Sequence, residues 1–209
     1  MRRIAQALRA GAMSLYWHIA SKQHLLDLMV DTLVGDTPVT EPTGDWRADL
    51  RAQAIAQRKM MHRHRWVVDF IGGRPPLGPN TILNSERLLG ALDVLGLDIH
   101  TAMFILETVH TYVLGAVLRE ARELRGQLDE EQAGVTPAEW QAAMLEWRRR
   151  LAADGRITRF LRILDEDFDP DSPETRDERF EFGLDCVLDG IAARLATSGG
   201  GRPQRPRPS

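Results

Sequence analysis

Cysteine occurs once in the 209 residues, at Cys186, so the sequence offers no internal disulfide and no thiolate metal site. That usage points to a reducing compartment, the cytoplasm. No apolar run approaches the roughly 20 residues of a membrane-spanning helix. The opening MRRIAQALRAGAM lacks the unbroken apolar stretch of a signal peptide. No membrane role is expected. Glycine (17) and proline (11) are too few for a strand-and-turn protein. Lysine is scarce, two against 25 arginines, the bias of a G+C-rich genome. Patterns for chemistry are missing too: there is no phosphate-binding glycine loop and no GxSxG turn. His62 and His64 lie about 200° apart around a helix and cannot share a metal. Glu107 and His110 share a face of an otherwise apolar helix and read as a satisfied polar pair rather than an acid–base set. The crowded acids Asp165, Glu166, Asp167, Asp169 and Asp171 lack the ordered spacing of an EF-hand loop. An enzyme, a cofactor and a bound metal are therefore not expected.

What remains is 43% hydrophobic and 27% charged, enough apolar material for one large core or two smaller ones. The net charge of −3 hides a split. Residues 1–26 carry Arg2, Arg3, Arg9 and Lys22 and no acid, and the acidic excess lies in the rest. A basic head on an acidic body is the charge pattern of a nucleic-acid-reading module joined to another domain, although chance gives the same pattern.

Apolar residues recur at helical spacing throughout, which predicts an all-α fold. Helices are expected over 2–10, 13–19, and 22 to about 34, the last capped by Ser21 and burying Leu25, Leu26, Met29 and Leu33. Residues 35–44, with two prolines and two glycines, read as a linker. Further helices are expected from Asp45 to about His64, from Asn80 to Leu95 with a stop at Gly96, and from Asp98 to about Arg125 before Gly126. QLDEEQAGVTP then reads as a loop. Thr136-Pro137 opens a helix to about Ala153, Ile157 to Asp165 forms a shorter one, and Ser172-Pro173 opens the last. The tail 198–209 reads as disordered. The expected domains are 1–36, an incomplete helix-turn-helix unit, and 45–197, a larger helical unit.

The first 35 residues carry the strongest signal. A helix, a tight break, a short second helix and a capped third make a helix-turn-helix, although other helical hairpins share that outline. The run IAQALRAGAMSLYWHIASKQHLLDLMVD resembles the operator-binding end of the TetR family of transcriptional regulators. Ile4-Ala5, Leu8, Leu15-Tyr16, His18, Ser21-Lys22 and Leu25-Leu26 carry the likeness. Trp46 opening a helix, GGRPPLGP, LGLDIHTAMFILETVHTYVLGAVLREARE and FEFGLDCVLDGIAARL resemble the C-terminal domain of its tetracycline-repressor branch. The resemblance spans most of residues 1–196.

The resemblance implies a dimeric regulator, a repressor released from double-stranded operator DNA by a small molecule. The DNA-facing set it implies is Arg2 near the backbone, Ala12, Met13, Ser14 and Tyr16 on the recognition helix, and Lys22 on a phosphate. Trp17 and His18 join that set as either readers or scaffold. The implied effector cavity is lined by Gln53, Gln57, Met60, His64, Phe70, Leu88, Phe104, Glu107 and His110. Pro38, Phe70 and Leu88 stand where tetracycline–magnesium ligands would be, so a more apolar effector is expected. Gly183, Val187, Leu188, Gly190 and Ile191 would form the dimer interface, with the helix at 98–125. Two departures stand out. The family has a full helix ahead of Ile4, so the sequence is expected to begin inside its helix-turn-helix domain, truncated. Arg9 occupies a place where the family has a left-handed glycine, unless the turn has moved to Gly11. The rival reading is a dimeric small-molecule-binding protein that has lost DNA binding with that helix.

Overall fold

A computed structural model describes residues 2–7, 9, 13, 17, 19–37, 41–70, 78–132, 134, 136–153, 155–165 and 172–198. Every regular element among them is helical. In chain order these are α1 (Arg2–Ala7), α2 (Lys22–Asp36), α3 (Trp46–Arg63), α4 (Pro79–Leu92), α5 (Ile99–Gln132), α6 (Pro137–Ala152), α7 (Thr158–Asp165) and α8 (Pro173–Ser198). Short 3-10 turns lie at Arg65–Asp69 and Asp93–Leu95.

The helices start where side chains can satisfy their free N–H groups. Ser21 accepts from the His24 N–H at 3.0 Å, and His24 Nδ1 accepts from Ala20 N–H at 3.2 Å. Asp45 accepts from both Arg47 and Ala48 N–H. Asp98 accepts from Thr101 N–H at 3.1 Å, and Ser172 from Thr175 N–H at 3.1 Å. Thr136 and Glu139 cap each other reciprocally at the start of α6.

Two helix ends differ from the sequence reading. α5 runs through Gly126 to Gln132, because one glycine costs only about 1 kcal/mol in a helix and QLDEEQ supplies helix-forming residues. The left-handed glycine is Gly134, at φ 72°, beyond the helix end. α2 runs through Gly35 to Asp36, two residues into the expected linker. Its buried residues are Val30 and Asp31, while Met29, expected inside, is 40% exposed.

The chain divides into two compact units. The first comprises residues 1–117 and 184–209. Its core includes Val30, Leu50, Ala54, Met61, Val67, Val68, Leu92, Val109, Val113, Val117, Leu184 and Leu188. Within it α2 packs on α4, and α4 on α3. Arg51 pairs with Asp185, and Arg47 Nη2 lies 2.7 Å from Asp189, tying α3 to α8. The second unit, 118–183, holds α6 and α7, whose Trp147 and Phe160 rings meet edge to face at 6.2 Å. There Arg179 donates to both oxygens of Glu123, at 3.0 and 2.8 Å.

The Ile99–Gly126 stretch of α5 is long and apolar enough, by length and composition, to cross a membrane. This corrects the expectation that no stretch comes near, which Glu107, Thr108, His110 and Thr111 had masked by interrupting the run. Ile105, Val109, Val113 and Val117 are buried along one side, as in the core helix of a packed domain.

Candidate functional site

α1 ends in a strained turn. Arg9 has φ 53°, the one positive φ outside glycine among the described residues, and its N–H reaches the Gln6 carbonyl at 3.1 Å. Arginine itself holds a left-handed position here, while Gly11 lies outside the described residues. Met13 and Trp17 are helical and 73% and 85% exposed, so Trp17 packs into no core. Lys22 is exposed in the first turn of α2, where free N–H groups and the helix dipole favour an anion. Arg2 belongs to α1. Ala12, Ser14, Tyr16 and His18 lie outside the described residues.

α2 is bolted to α4 by a buried carboxylate. Asp31, 4% exposed, accepts from Thr81 N–H at 2.8 Å and Thr81 Oγ1 at 2.9 Å. It also accepts from Asn80 N–H at 3.3 Å and Nδ2 at 3.2 Å. These donors include free N–H groups of the first turn of α4, so a residue of one helix caps another. Two glycines make the approach possible. A Cβ on Gly78 would stand 2.1 Å from the Asp31 side chain, and one on Gly35 would stand 2.7 Å from that of Asn80. Sequence reading missed this joint. Its one visible trace is Gly35, read there as a linker residue.

Of the implied cavity residues, the structure brings two together directly. Gln57 Nε2 of α3 lies 2.6 Å from His110 Nδ1 of α5. Burial lowers the His110 pKa below its ordinary 6.5, and the Glu107 charge pulls it partly back. Gln53, Gln57 and Met60 follow helical spacing along α3, all half-buried, as are His64 at its end and Leu88 on α4. Phe70 and Phe104 depart from the expectation, being 40% and 69% exposed. Phe104 and Glu107 fall with Met103 and Thr111 on the exposed side of α5 opposite its buried valines, so neither lines the interior of this protomer as expected. Phe70 stacks obliquely on Trp66, with ring centroids 6.2 Å apart. A further polar group, unforeseen, is Asn84 of α4, whose Oδ1 is buried without a hydrogen-bond partner.

On α8, Leu188 is fully buried inside its own protomer, which corrects its place in a dimer interface. Helical spacing puts it with Phe180 and Leu184 on the core side. The opposite side carries Phe182, 74% exposed, with exposed Cys186 and Gly190. Gly183, Val187 and Ile191 are half-buried at the flanks.

Residues 37–195 match the family profile described as the tetracyclin repressor-like C-terminal domain. The chain belongs to the TetR family. One relative, the HTH-type transcriptional repressor DrrR1 of Streptomyces coeruleorubidus, is 32% identical over 94% of this chain and 70% of its own length. The class E tetracycline repressor protein of Escherichia coli is 25% identical over 93% of the chain and 81% of its own length. Among solved structures, the TetR-family protein ActR of Streptomyces coelicolor in complex with actinorhodin is 28% identical, with a TM-score of 0.67 over 93% of this chain and 87% of that one. TetR-family membership makes the chain a ligand-responsive transcriptional regulator and not an enzyme, and DNA binding through a helix-turn-helix is typical of the family.

Proposed function

We propose that the chain is a cytoplasmic, homodimeric repressor that reads double-stranded operator DNA through residues 1–36 and is released by a largely apolar small molecule bound within residues 45–197. One observation carries this reading: the family match over 37–195 stands directly behind a basic segment that ends in a Ser21-capped helix. Lys22 is assigned to a backbone phosphate, Arg2 to the same backbone, and Ala12, Met13, Ser14 and Tyr16 to the groove, with Trp17 and His18 beside them. The half-buried apolar side chain of Leu88 favours an apolar effector, and the Gln57–His110 pair supplies its polar contact. ActR, which is bound to actinorhodin in its crystal structure, is a precedent for a ligand-bound relative. Exposed apolar groups on the outer sides of α5 (Met103, Phe104) and α8 (Phe182) support a second copy as partner.

The dimer holds its recognition helices about 34–36 Å apart, matching successive major grooves. The effector stabilises another separation, and operator affinity falls by a coupling free energy of roughly 1–3 kcal/mol.

Gel shifts across a salt series test the reading. The protein should bind its own upstream DNA tightly, with affinity falling as salt rises. Lys22→Ala should weaken all sequences alike and flatten the salt slope by about one. Tyr16→Ala and Ser14→Ala should change which sequences are preferred. Equal affinity for random duplex would remove the repressor reading and leave a small-molecule-binding protein without DNA binding.

A further inference from the structure

Along α4, Thr81, Asn84, Ser85, Leu88 and Leu92 share the inner side, while Ile82, Leu83 and Glu86 are exposed. The polar groups beside Asn84 are engaged: Thr81 with Asp31, and Ser85 Oγ with the Thr81 carbonyl at 3.0 Å. The Asn84 Oδ1 is sealed from solvent and accepts nothing. An amide oxygen left so forfeits its hydration without return, and nearly all buried polar atoms in folded proteins are paired. Leucine has the same branched outline and carries no oxygen to leave unpaired. A donor from outside the chain would complete the Asn84 oxygen's pairing.

We propose that Asn84 is a specificity residue of the effector site, its Oδ1 accepting a hydrogen bond from a hydroxyl or N–H group on the effector. The inference rests on the reading of α4 as a wall of that site, through Leu88 one turn further along the same side. It adds a requirement to the apolar ligand class: an oxygen acceptor selects ligands that donate, and an ether or ketone in the same position leaves it unpaired. The wrong ligand leaves the oxygen orphaned, and the loss falls on binding of the ligand without a donor.

Phenol and anisole test this, since they share a ring and differ in one donor. The Asn84 side-chain amide resonances, assigned by their loss in Asn84→Leu, are followed as each compound is added to roughly tens of millimolar, the weak range of a ligand this small. Phenol should move them and bind about fivefold more tightly than anisole, the size of one net hydrogen bond. Asn84→Leu should bind the two alike and melt about 2–4 °C above the wild type, the shift for relief of one such cost in a chain of this size. The proposal fails if phenol leaves the resonances unmoved or both compounds move them equally. It fails equally if Asn84→Leu melts lower, since the oxygen would then be held by the protein or an internal water. None of these measurements contains DNA, so loss of operator binding would remove the regulator reading and leave this result standing.

Discussion

Gln57 Nε2 faces His110 Nδ1 at 2.6 Å, and an amide nitrogen there needs a lone pair on the ring. His110 is then neutral, with its hydrogen on Nε2, in agreement with a pKa held below 6.5 by burial and only partly restored by Glu107. A folded-state pKa below the unfolded value means that the unfolded chain takes up a proton first as pH falls. The stability from His110 is thus full above about pH 6.5 and is lost as the pH drops through the lowered folded value. Melting temperatures from pH 7 to 5 should fall in the wild type, and His110→Gln should remove that part of the slope. An unchanged slope would mean the imidazole titrates normally.

Asp31 should dominate the stability of the α2–α4 joint. Asp31→Ala strands the Thr81 N–H and Oγ1 and the Asn80 donors at once, and should cost about 3 kcal/mol in urea unfolding. Gly78→Ala attacks the same joint sterically and should cost roughly 1–3 kcal/mol. The double variant should cost less than the sum, because both act on one contact. Additive losses would show the two sites to be independent.

Arg9 is the site of a stabilising change. Glycine adopts φ 53° without the Cβ clash, so Arg9→Gly should gain about 1 kcal/mol. Arg9→Ala, which keeps the Cβ, should gain little. Equal effects of both would place the strain elsewhere.

The two sides of α8 should respond differently to charge. Gly190→Arg and Phe182→Arg should give folded monomers in sedimentation, each forcing a cation into an apolar contact between copies. Leu188→Arg should unfold the protomer, since that side chain is fully buried within it. A wild type that sediments as a monomer at micromolar concentration would remove the dimer scheme.

The all-α class and most helix starts were legible because they are local. Ser21, Asp45, Asp98, Thr136 and Ser172 each cap within three residues, so sequence spacing contains the whole interaction. The misreadings share a cause in distant partners. Gly35 looked like a linker residue because the reason for it, the Asn80 side chain, lies 45 positions along the chain. Met29 and Val30 are indistinguishable by type, and packing on α4 decides which is inside. Leu188 and Gly190 sit two apart on α8, and periodicity gave a stripe without saying which flank faces its own core. Phe104 followed from family position alone, and its exposure was invisible to an apolar count. Asn84 carried no signal, since an unpaired oxygen is defined only by its surroundings.

The Asp31 joint has a mechanical consequence. Two surfaces that fit only because a side chain is missing at Gly35 and Gly78 behave as a detent, not a spring. A slide of α4 along α2 by one residue would break every bond to Asp31 together and drive a side chain into each notch. Intermediate positions gain nothing, so the two helices are either seated or released. A push delivered to α4 would reach α2 undiminished until the catch gives, and then all at once, which turns a graded force into a step.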